Sequence, residues 1–493
     1  MLSRCGWVRL GAKLARRSNG AGEEFMVPIG RLAQWGGLGL CLSLAAGAAR
    51  AESPMQFDPP FQSLRYNEDF SWLARKSDPT PWERLKYIPL GASDFGPIFL
   101  TLGGEIRERH ENYVNINYGI KTPAASSYQL QRLLLDGDLH VTDYFRAFVQ
   151  LGDQRIFGER GAPSTTDVDR FDLMQHFADL RLPSPFGDAP TFRYGREELL
   201  YGYQRLIAVR EGPNVRRDFD GFRFIDKIGE ASVDILAVQP TVDSPYAMND
   251  STNAAQHLGG LYVTTPLAGP LRSDLYALDY SNTQARFRGL TGVERIETYG
   301  VRLFGAANGF DWNFEASDQI GTFRTQPVQA YLLAGVFGYT PENVDIKPRF
   351  GFSINQASGD NAHSRTIGTF NAMFPRLPYF AETPVLVPAN VRDIRPVFSF
   401  TPADRVNVIL GLDLLWRVST TDGLYGSGMT QIPNTNKVSG LRVGSEFSID
   451  ARWQADQFWQ LGAILAQFYA GPALTEAGGK NMTYAVLFVK FLF

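Results

Sequence analysis

Apolar and polar residues alternate along much of the chain with a period of two. In residues 405–417 an apolar set opposes a polar set: Val406, Val408, Leu410, Leu412, Leu414 and Trp416 against Arg405, Asn407, Asp413 and Arg417. Residues 100–109, 346–355 and 441–453 repeat the pattern. Successive side chains of a β-strand point to opposite faces, so these segments predict strands. One face is fit for lipid, and the other carries charge of both signs.

Eighteen strands fit this template, an even number of the kind that bacterial membrane barrels use. The predicted spans are 98–112, 128–140, 144–155, 172–182, 190–197, 219–225, 232–239, 257–265, 273–280, 296–305, 311–317, 328–339, 346–355, 392–400, 405–417, 439–454, 458–469 and 482–493. Short connections at 141–143, 183–190, 306–310, 401–404 and 455–457 alternate with longer ones at 156–171, 240–256, 281–295, 356–391, 418–438 and 470–481. The fold class predicted is all-β, a transmembrane antiparallel β-barrel of about eighteen strands. Its N- and C-termini are expected to be periplasmic.

The last strand bears on whether the sheet closes. In residues 483–493, Ala485, Leu487, Val489, Phe491 and Phe493 share one apolar face. An open edge of this kind would aggregate in water, whereas pairing with the first strand removes the edge and lipid solvates the outer face. The alternative is a buried last strand of a soluble sheet. A terminal Phe493 also resembles the C-terminal signature that the outer-membrane assembly machinery recognises.

The N-terminal region divides into two parts. Residues 1–51 contain an apolar core followed by Ala49-Arg50-Ala51, which is typical of signal peptidase cleavage. Because the basic segment before that core is unusually long, we predict that Met26 is the true start. Residues 52–97 are too short for an independent domain and are expected to form a periplasmic arm or a small plug. The barrel is expected to occupy residues 98–493.

Composition excludes several function classes. Charged residues make up 20% of the chain and the formal net charge is -3, which gives no reason to expect nucleic acid as a partner. Both cysteines, Cys5 and Cys41, lie in the predicted signal peptide. The five histidines form no ligand pair, and no G-x-S-x-G or P-loop motif occurs. We therefore predict no catalytic residues, no metal, no cofactor and no enzyme activity.

Residues 192–224 hold the densest charged constellation in the chain. Its arginines are Arg193, Arg196, Arg205, Arg210, Arg216, Arg217 and Arg223, interleaved with Glu197, Glu198, Glu211, Asp218 and Asp220. One interpretation is a salt-bridged loop held against the barrel wall. The other is a constriction whose guanidinium groups face a passing anion, because they stay charged and bind carboxylates through a planar fork. The two interpretations are compatible.

The full set of expected lumen residues extends beyond that segment. The basic pore-lining residues predicted are Arg107, Arg132, Arg193, Arg196, Arg205, Arg210, Arg216, Arg217, Arg223, Lys347, Arg349, Arg442 and Arg452. Their predicted acidic partners are Glu105, Glu197, Glu211, Asp218, Asp220, Glu446 and Asp450.

Several long motifs carry a family resemblance. They include RYNEDFSWL at 65–73, LTLGGEIRERHENY at 100–113, QLQRLLLDGDLHV at 129–141, REGPNVRRDFDG at 210–221 and ASGDNAHSRTIGTFNAMFPRLPYF at 357–380. Through them the chain resembles the bacterial alginate-export family of outer-membrane porins. The resemblance implies an eighteen-stranded barrel with a positively charged constriction through which a polyuronate is exported. Arg196 matches a position of the family's motif. Glu197, Glu198, Gln175 and His176 depart from the residues that the family's alginate exporter has at those positions.

These observations predict an outer-membrane channel of a Gram-negative bacterium that transports anions passively. The first hypothesis is export of an anionic polysaccharide of the alginate type. The alternatives are diffusive uptake of small anionic or hydrophobic solutes and, more weakly, a barrel enzyme or scaffold. Expected partners are the lipid bilayer, the assembly machinery through Phe493, the anionic polysaccharide or small anionic solute, and a periplasmic protein.

Overall fold

A computed structural model of the protein describes residues 61–122, 124–159, 163–183 and 189–493. The predicted signal peptide, the Met26 start and residues 52–60 lie outside these described residues. Among the described residues, no helix combines the length and apolar character needed to cross a membrane.

The described residues form twenty-two strands and few helices. The strands are β1 (Ile88–Ser93), β2 (Gly96–Val114), β3 (Ala125–Val141), β4 (Phe145–Phe157), β5 (Asp169–Arg181), β6 (Thr191–Glu198), β7 (Asp218–Ile228), β8 (Ala231–Val242), β9 (Ser251–Thr252), β10 (Gln256–Ala268), β11 (Leu271–Phe287), β12 (Leu290–Ala307), β13 (Phe310–Phe323), β14 (Gln326–Tyr339), β15 (Arg349–Ala357), β16 (Val391–Ala403), β17 (Val406–Arg417), β18 (Tyr425–Gly426), β19 (Thr430–Gln431), β20 (Arg442–Gln454), β21 (Trp459–Ala470) and β22 (Met482–Leu492). The helices are α1 (Pro81–Lys86) and α2 (Pro472–Thr475), with 3-10 turns at Arg65–Asn67, Ser71–Arg75, Ile116–Gly119, Ser427–Met429 and Thr435–Lys437.

Eighteen of the strands pair antiparallel into a closed barrel, which confirms the predicted fold class. Each barrel strand pairs with its neighbour in the ring, and β22 pairs with β2 from Glu105↔Leu492 to Val114↔Thr483. The last strand therefore has no free edge, as the closure argument predicts. Short strands β1, β9, β18 and β19 lie outside the ring of eighteen.

One predicted loop is wrong. Residues 281–295 were expected to form a long connection, but β11 and β12 continue through them and meet in a two-residue turn at Arg288 and Gly289. Both turn residues have positive φ, 50° and 77°, which matches the right-handed twist of a hairpin. The predicted strand ends at 280 and 296 therefore fall inside β11 and β12.

The outer face of the barrel is apolar. Large side chains such as Leu135, Leu275, Phe314, Leu333 and Leu465 are exposed on strands whose alternate residues are buried. Lipid solvates a face of this kind, whereas water would not.

The first described residues enter the barrel at the end where the turns lie. Arg65 donates to the carbonyl oxygen of Phe493 at 2.7 Å, and the Tyr66 hydroxyl donates to the carbonyl oxygen of Glu198 at 2.6 Å. The Tyr66 ring packs edge-on against Phe148 and Phe177, whose side chains point into the barrel. This short segment therefore occupies part of the mouth of the barrel.

Candidate functional site: a constriction built by two loops

The connection between β6 and β7, residues 199–217, folds into the barrel interior, and we call it the crossing loop. Its apolar residues Leu199, Leu206 and Ile207 are buried in a cluster with inward side chains of β7 to β14. Burial of these side chains supplies the driving force that draws the loop away from water. The sequence segment with the densest charge is thus anchored by its few apolar residues.

The crossing loop reaches two distant parts of the wall. Near its start, Arg205 forms an ion pair with Glu315 of β13 at 2.6 Å. Near its end, Glu211 forms an ion pair with Arg132 of β3 at 2.7 Å. Since these strands lie far apart in the ring, the loop divides the barrel interior into two sectors.

Glu211 is the main attachment of this loop to the wall. Its carboxylate accepts from Arg132 and Lys490 at 2.7 Å each and from Arg216 at 2.8 Å. Burial alone would raise the pKa of Glu211, but Arg132, Lys490, Arg216 and Arg107 together hold that pKa well below its ordinary value. The carboxylate therefore stays ionised and keeps the cations apart.

Arg107 holds the same part of the loop through backbone oxygens. Its guanidinium donates to the carbonyl oxygens of Glu211 and Pro213 at 3.1 Å, and to Asn214 Oδ1 at 3.1 Å. The amide of Asn214 in turn donates to three wall or loop carbonyl oxygens at 3.0–3.2 Å. On β3, Arg132 also pairs with Glu105 at 2.7 Å. Arg107 and Arg132 therefore bind the crossing loop, and little of their surface is accessible to a solute in the lumen.

The arginines on β6 and β7 are likewise committed to carboxylates. Arg193 pairs with Asp179 at 2.7 Å and with Glu197 at 2.8 Å. Arg223 pairs with the same Glu197 at 2.6 Å and with Asp234. These buried networks match the interpretation of a salt-bridged segment held against the wall.

Three further arginines follow the same rule. Arg196 forms a two-point contact with Asp220 at 2.9 and 3.2 Å. Arg216 pairs with Glu198 at 2.7 Å. Arg210 pairs with Asp243 at 3.1 Å.

Arg217 differs from them, because no carboxylate of the described residues lies within ion-pair distance of it. Its guanidinium lies over the ring of Phe374 at 5.2 Å. Burial, and then the nearby charge of Arg210, lowers the pKa of Arg217 to about 9. This arginine is a buried charge within the loop packing.

A second connection, residues 358–390 between β15 and β16, also folds inward, and we call it the inner loop. It runs beside the crossing loop, where Phe374 N donates to Leu206 O at 2.9 Å and Arg376 N donates to Gln204 O at 3.0 Å. Its far side is fixed to β20, since Glu446 accepts from the backbone N–H of Glu382 at 2.7 Å. The two loops together form the constriction.

A cavity of about 430 Å³ opens beside this constriction on the β13–β20 side. Its basic lining residues are Arg205, Arg349, Arg376, Arg395 and Arg452, and its acidic ones are Asp311, Glu382 and Asp450. Basic groups exceed acidic ones in the lining, so the cavity favours negative charge.

Arg376 is the exception among the five cavity arginines. Arg349, Arg395 and Arg452 pair with Asp311, Glu382 and Asp450 at 2.6, 3.1 and 2.7 Å, while Arg205 pairs with Glu315. Within the described part of the chain, no carboxylate lies within ion-pair distance of Arg376. Its guanidinium contacts the rings of Tyr203 and Tyr379, at 4.9 and 5.9 Å, and its Nε is buried without a hydrogen-bond partner. Arg376 is therefore the cation best placed to take an anionic group.

A second cavity, of about 510 Å³, lies on the loop side of the constriction. Arg109, Glu111, Asp167 and Arg210 are among its lining residues. Pro378 of the inner loop lines both cavities and therefore lies between them.

A model of the alginate export family matches residues 99–488. The chain belongs to this family. The comparison with curated proteins finds no match.

Solved structures of outer-membrane porins share the fold. OccD3 (OpdP) of Pseudomonas aeruginosa is 11% identical, with a TM-score of 0.54 over 88% of this chain and 98% of its own. OccAB2 of Acinetobacter baumannii is 10% identical, with a TM-score of 0.54 over 80% and 98%. OccK11 (OpdR) of Pseudomonas aeruginosa is 12% identical, with a TM-score of 0.53 over 80% and 96%. The family and the fold are those of an outer-membrane channel of Gram-negative bacteria.

Two predicted pore residues do not point into the lumen. Arg442 is exposed on the outer side, because a β-bulge at Val443 shifts the register between β17 and β20 and reverses the alternation. Lys347 is exposed in the turn before β15, which begins at Arg349 rather than at residue 346. Both predictions are corrected.

Two predicted acidic partners have no arginine within ion-pair distance among the described residues. Glu446 binds Thr383 Oγ1 and the Glu382 backbone instead. Asp218 accepts a hydrogen bond from Thr241. Both carboxylates are buried within the barrel, so only the expected partner is corrected.

Sequence reasoning missed Arg376, Arg395 and Lys490. Arg395 had a signal, since Asp393 and Arg395 alternate with Ile394 in the predicted strand 392–400. Arg376 had none, because nothing in the pattern of residues 356–391 distinguishes a loop that folds inward from one that extends outward.

Proposed function

We propose that this protein is a passive, anion-favouring channel whose substrate class is an anionic polysaccharide of the alginate type. The observation that carries the proposal is the cavity beside the constriction, where Arg376 has no carboxylate partner among the described residues. Family membership supports the uronate class.

A guanidinium group suits the transport of uronates. It remains charged and binds a carboxylate through two parallel N–H donors, so successive uronate units can exchange at one arginine. Paired arginines such as Arg349 and Arg452 add a weaker attraction, because Asp311 and Asp450 partly cancel their charge. Weak binding at several points lets a solute enter and leave.

The test is the reversal potential of single channels in a KCl gradient across a planar bilayer. We expect wild type to prefer chloride over potassium. Arg376→Gln should lower this preference about two- to fivefold, since one charge at close range is partly screened by salt. Arg442→Gln is the matched control, because Arg442 lies on the outer side, and it should leave the potential unchanged. A cation preference in wild type, or equal effects of both variants, would contradict the proposal.

A second candidate is diffusive uptake of small carboxylates. Two observations favour it: both loops are fixed to the barrel wall, and the lumen is divided into cavities of about 430 and 510 Å³, which suit small solutes. Single-channel currents measured with a monouronate and with long oligouronates distinguish polymer export from uptake of small carboxylates. Polymer export predicts that block of the current strengthens with chain length, whereas uptake predicts that the monomer carries current and that long oligomers do not bind better.

Orientation and partners are part of the proposal. The turn end, where Phe493 accepts a hydrogen bond from Arg65, would face the periplasm and receive a periplasmic partner. Phe493 would be the residue that the assembly machinery recognises. Protease digestion of intact cells, with epitopes placed in residues 243–255 and in the turn 404–405, would test this orientation.

A further inference from the structure

A cluster of carboxylates lies apart from the constriction, at the loop end of the barrel. Asp169 and Asp172 begin β5, and Asp250 belongs to the connection between β8 and β10. One carboxylate oxygen of each lies within 4.8 Å of the others. Oxygens bound to one calcium ion at 2.3–2.6 Å have separations of this size.

Three carboxylate oxygens of this cluster accept no hydrogen bond from a donor group of the described residues. Asp169 is fully buried, with 0% of its surface exposed, and neither of its carboxylate oxygens accepts a hydrogen bond. Asp250 Oδ2 is also buried without a partner. Because burying an unpaired carboxylate is costly, a buried side chain of this kind calls for either a proton or a bound cation.

Backbone groups fix the other oxygens of the cluster. Asp250 Oδ1 accepts from Ser244 N at 2.8 Å, and Asp172 Oδ2 accepts from Asn249 N at 2.8 Å. Asp172 Oδ1 accepts from Leu173 N at 2.7 Å, so both oxygens of Asp172 are hydrogen-bonded. The connection is thus already folded around the cluster.

The surrounding charge is negative. Asp169, Asp172, Asp218 and Asp250 have no basic side chain within ion-pair distance among the described residues, while the nearby Arg196 is committed to Asp220. A further nearby arginine, Arg210, is committed to Asp243. Like charges gathered in a buried site need either protons or a cation to balance them.

Oxygen-only ligands select the type of cation. Calcium accepts carboxylate and amide oxygens in flexible geometry, whereas zinc prefers nitrogen and sulfur and magnesium requires a near-ideal octahedron. Gln154 on β4 pairs in register with Asp169, is fully buried, and leaves its amide oxygen without a partner. The register places this amide oxygen beside Asp169, and it is of the kind that calcium accepts, which makes it the candidate fourth ligand.

We propose that Asp169, Asp172 and Asp250 form a calcium site that ties the connection between β8 and β10 to the start of β5. The site is independent of the channel's substrate. Through the neighbouring Asp243, which pairs with Arg210, the same connection contacts the crossing loop. Calcium would thus secure the outer support of the constriction.

The test uses full-length barrel refolded in detergent without lipopolysaccharide and stripped with EDTA at pH 7.5. We expect calcium chloride to bind by isothermal titration calorimetry and to raise the thermal unfolding midpoint, with magnesium binding more weakly. Asp169→Asn should weaken calcium binding at least about tenfold. Asp404→Asn, at an exposed turn, should bind as wild type does.

A second variant tests whether weaker binding in Asp169→Asn results from misfolding of the barrel. Asp250→Asn changes a connection rather than a barrel strand, and it should also weaken binding at least about tenfold. The proposal is overturned if wild type shows no calcium binding at millimolar concentration, which would mean that protons balance the cluster. It is equally overturned if both variants bind calcium as tightly as wild type.

Discussion

The two sectors of the barrel interior differ in what fills them. On the β7–β14 side, inward residues such as Leu236, Leu258 and Ile296 pack against apolar residues of the crossing and inner loops. On the β13–β20 side, the wall presents charged groups to a cavity, and its apolar residues such as Leu415 and Val443 pack against the inner loop nearer the loop end. Part of the lumen is therefore a packed core, although the alternation of polar and apolar residues predicts a lumen charged throughout.

The difference shows that the crossing loop decides which part of the barrel can carry solutes. The apolar residues of the wall have to be covered, and the crossing loop covers them with Leu206 and Ile207. A charged wall remains open, because its arginines and carboxylates stay solvated or paired. The following predictions test this division, from the largest expected effect to the smallest.

Phe374→Ala should be the most destabilising change. Phe374 is 5% exposed and packs edge-on against Phe219 and Tyr280, at 5.1 and 5.6 Å. Removal of its ring leaves a void in the filled sector, which should lower the free energy of unfolding by about 3–5 kcal/mol. Urea unfolding in lipid vesicles measures this loss. Tyr246→Ala, in an exposed loop, is the control, and a loss below about 1 kcal/mol for Phe374→Ala would mean that this sector is hydrated.

Glu211→Gln should loosen the boundary between the sectors. The neutral amide cannot balance Arg132, Arg216 and Lys490, so these cations repel one another. Because 39% of the Glu211 side chain is exposed, screening limits the expected loss to about 1–2 kcal/mol. Single-channel conductance should rise as the crossing loop detaches. An unchanged conductance with Asp404→Asn as reference would show that the loop is held by its apolar residues alone.

Arg376→Gln should separate selectivity from stability. Arg376 follows Phe374 by two residues, but its side chain faces the cavity. The free energy of unfolding should change by less than about 0.5 kcal/mol, as for most substitutions outside packed regions, while the reversal potential shifts toward cations. Equal stability losses for Arg376→Gln and Phe374→Ala would remove the distinction between the two sectors.

The smallest effect concerns the N-terminal segment and pH. Burial, and then the charge of Arg65, lowers the pKa of Lys86 to about 8. When the N-terminal segment is detached from the barrel mouth, Lys86 keeps its ordinary pKa and holds its proton above pH 8. Binding of the segment to the barrel should therefore strengthen as pH rises from about 8 to 9.5. Protease cleavage within residues 61–86 should slow over this range. Lys86→Met should abolish the pH dependence and Lys76→Met should retain it.

Much of the barrel was predictable because strand periodicity is a local property. Glu105, Arg107 and Arg132 point inward as their alternation predicts, and the eighteen strands follow from the same pattern. The prediction that Arg442 faces the lumen is wrong because one bulged residue reverses the side to which its neighbours point. A bulge cannot be recognised from the alternation of polar and apolar residues.

The sequence by itself determined a closed barrel with an apolar outer face, since each strand carries its own period of two and its last strand requires a partner. Only the tertiary structure decided which arginines serve the channel. Arg193 and Arg376 are the same residue type, but one meets Asp179 across neighbouring strands, and the other is held among aromatic rings at the edge of a cavity. Whether a charge is paired depends on contacts between segments far apart in the chain, and no local pattern encodes those contacts.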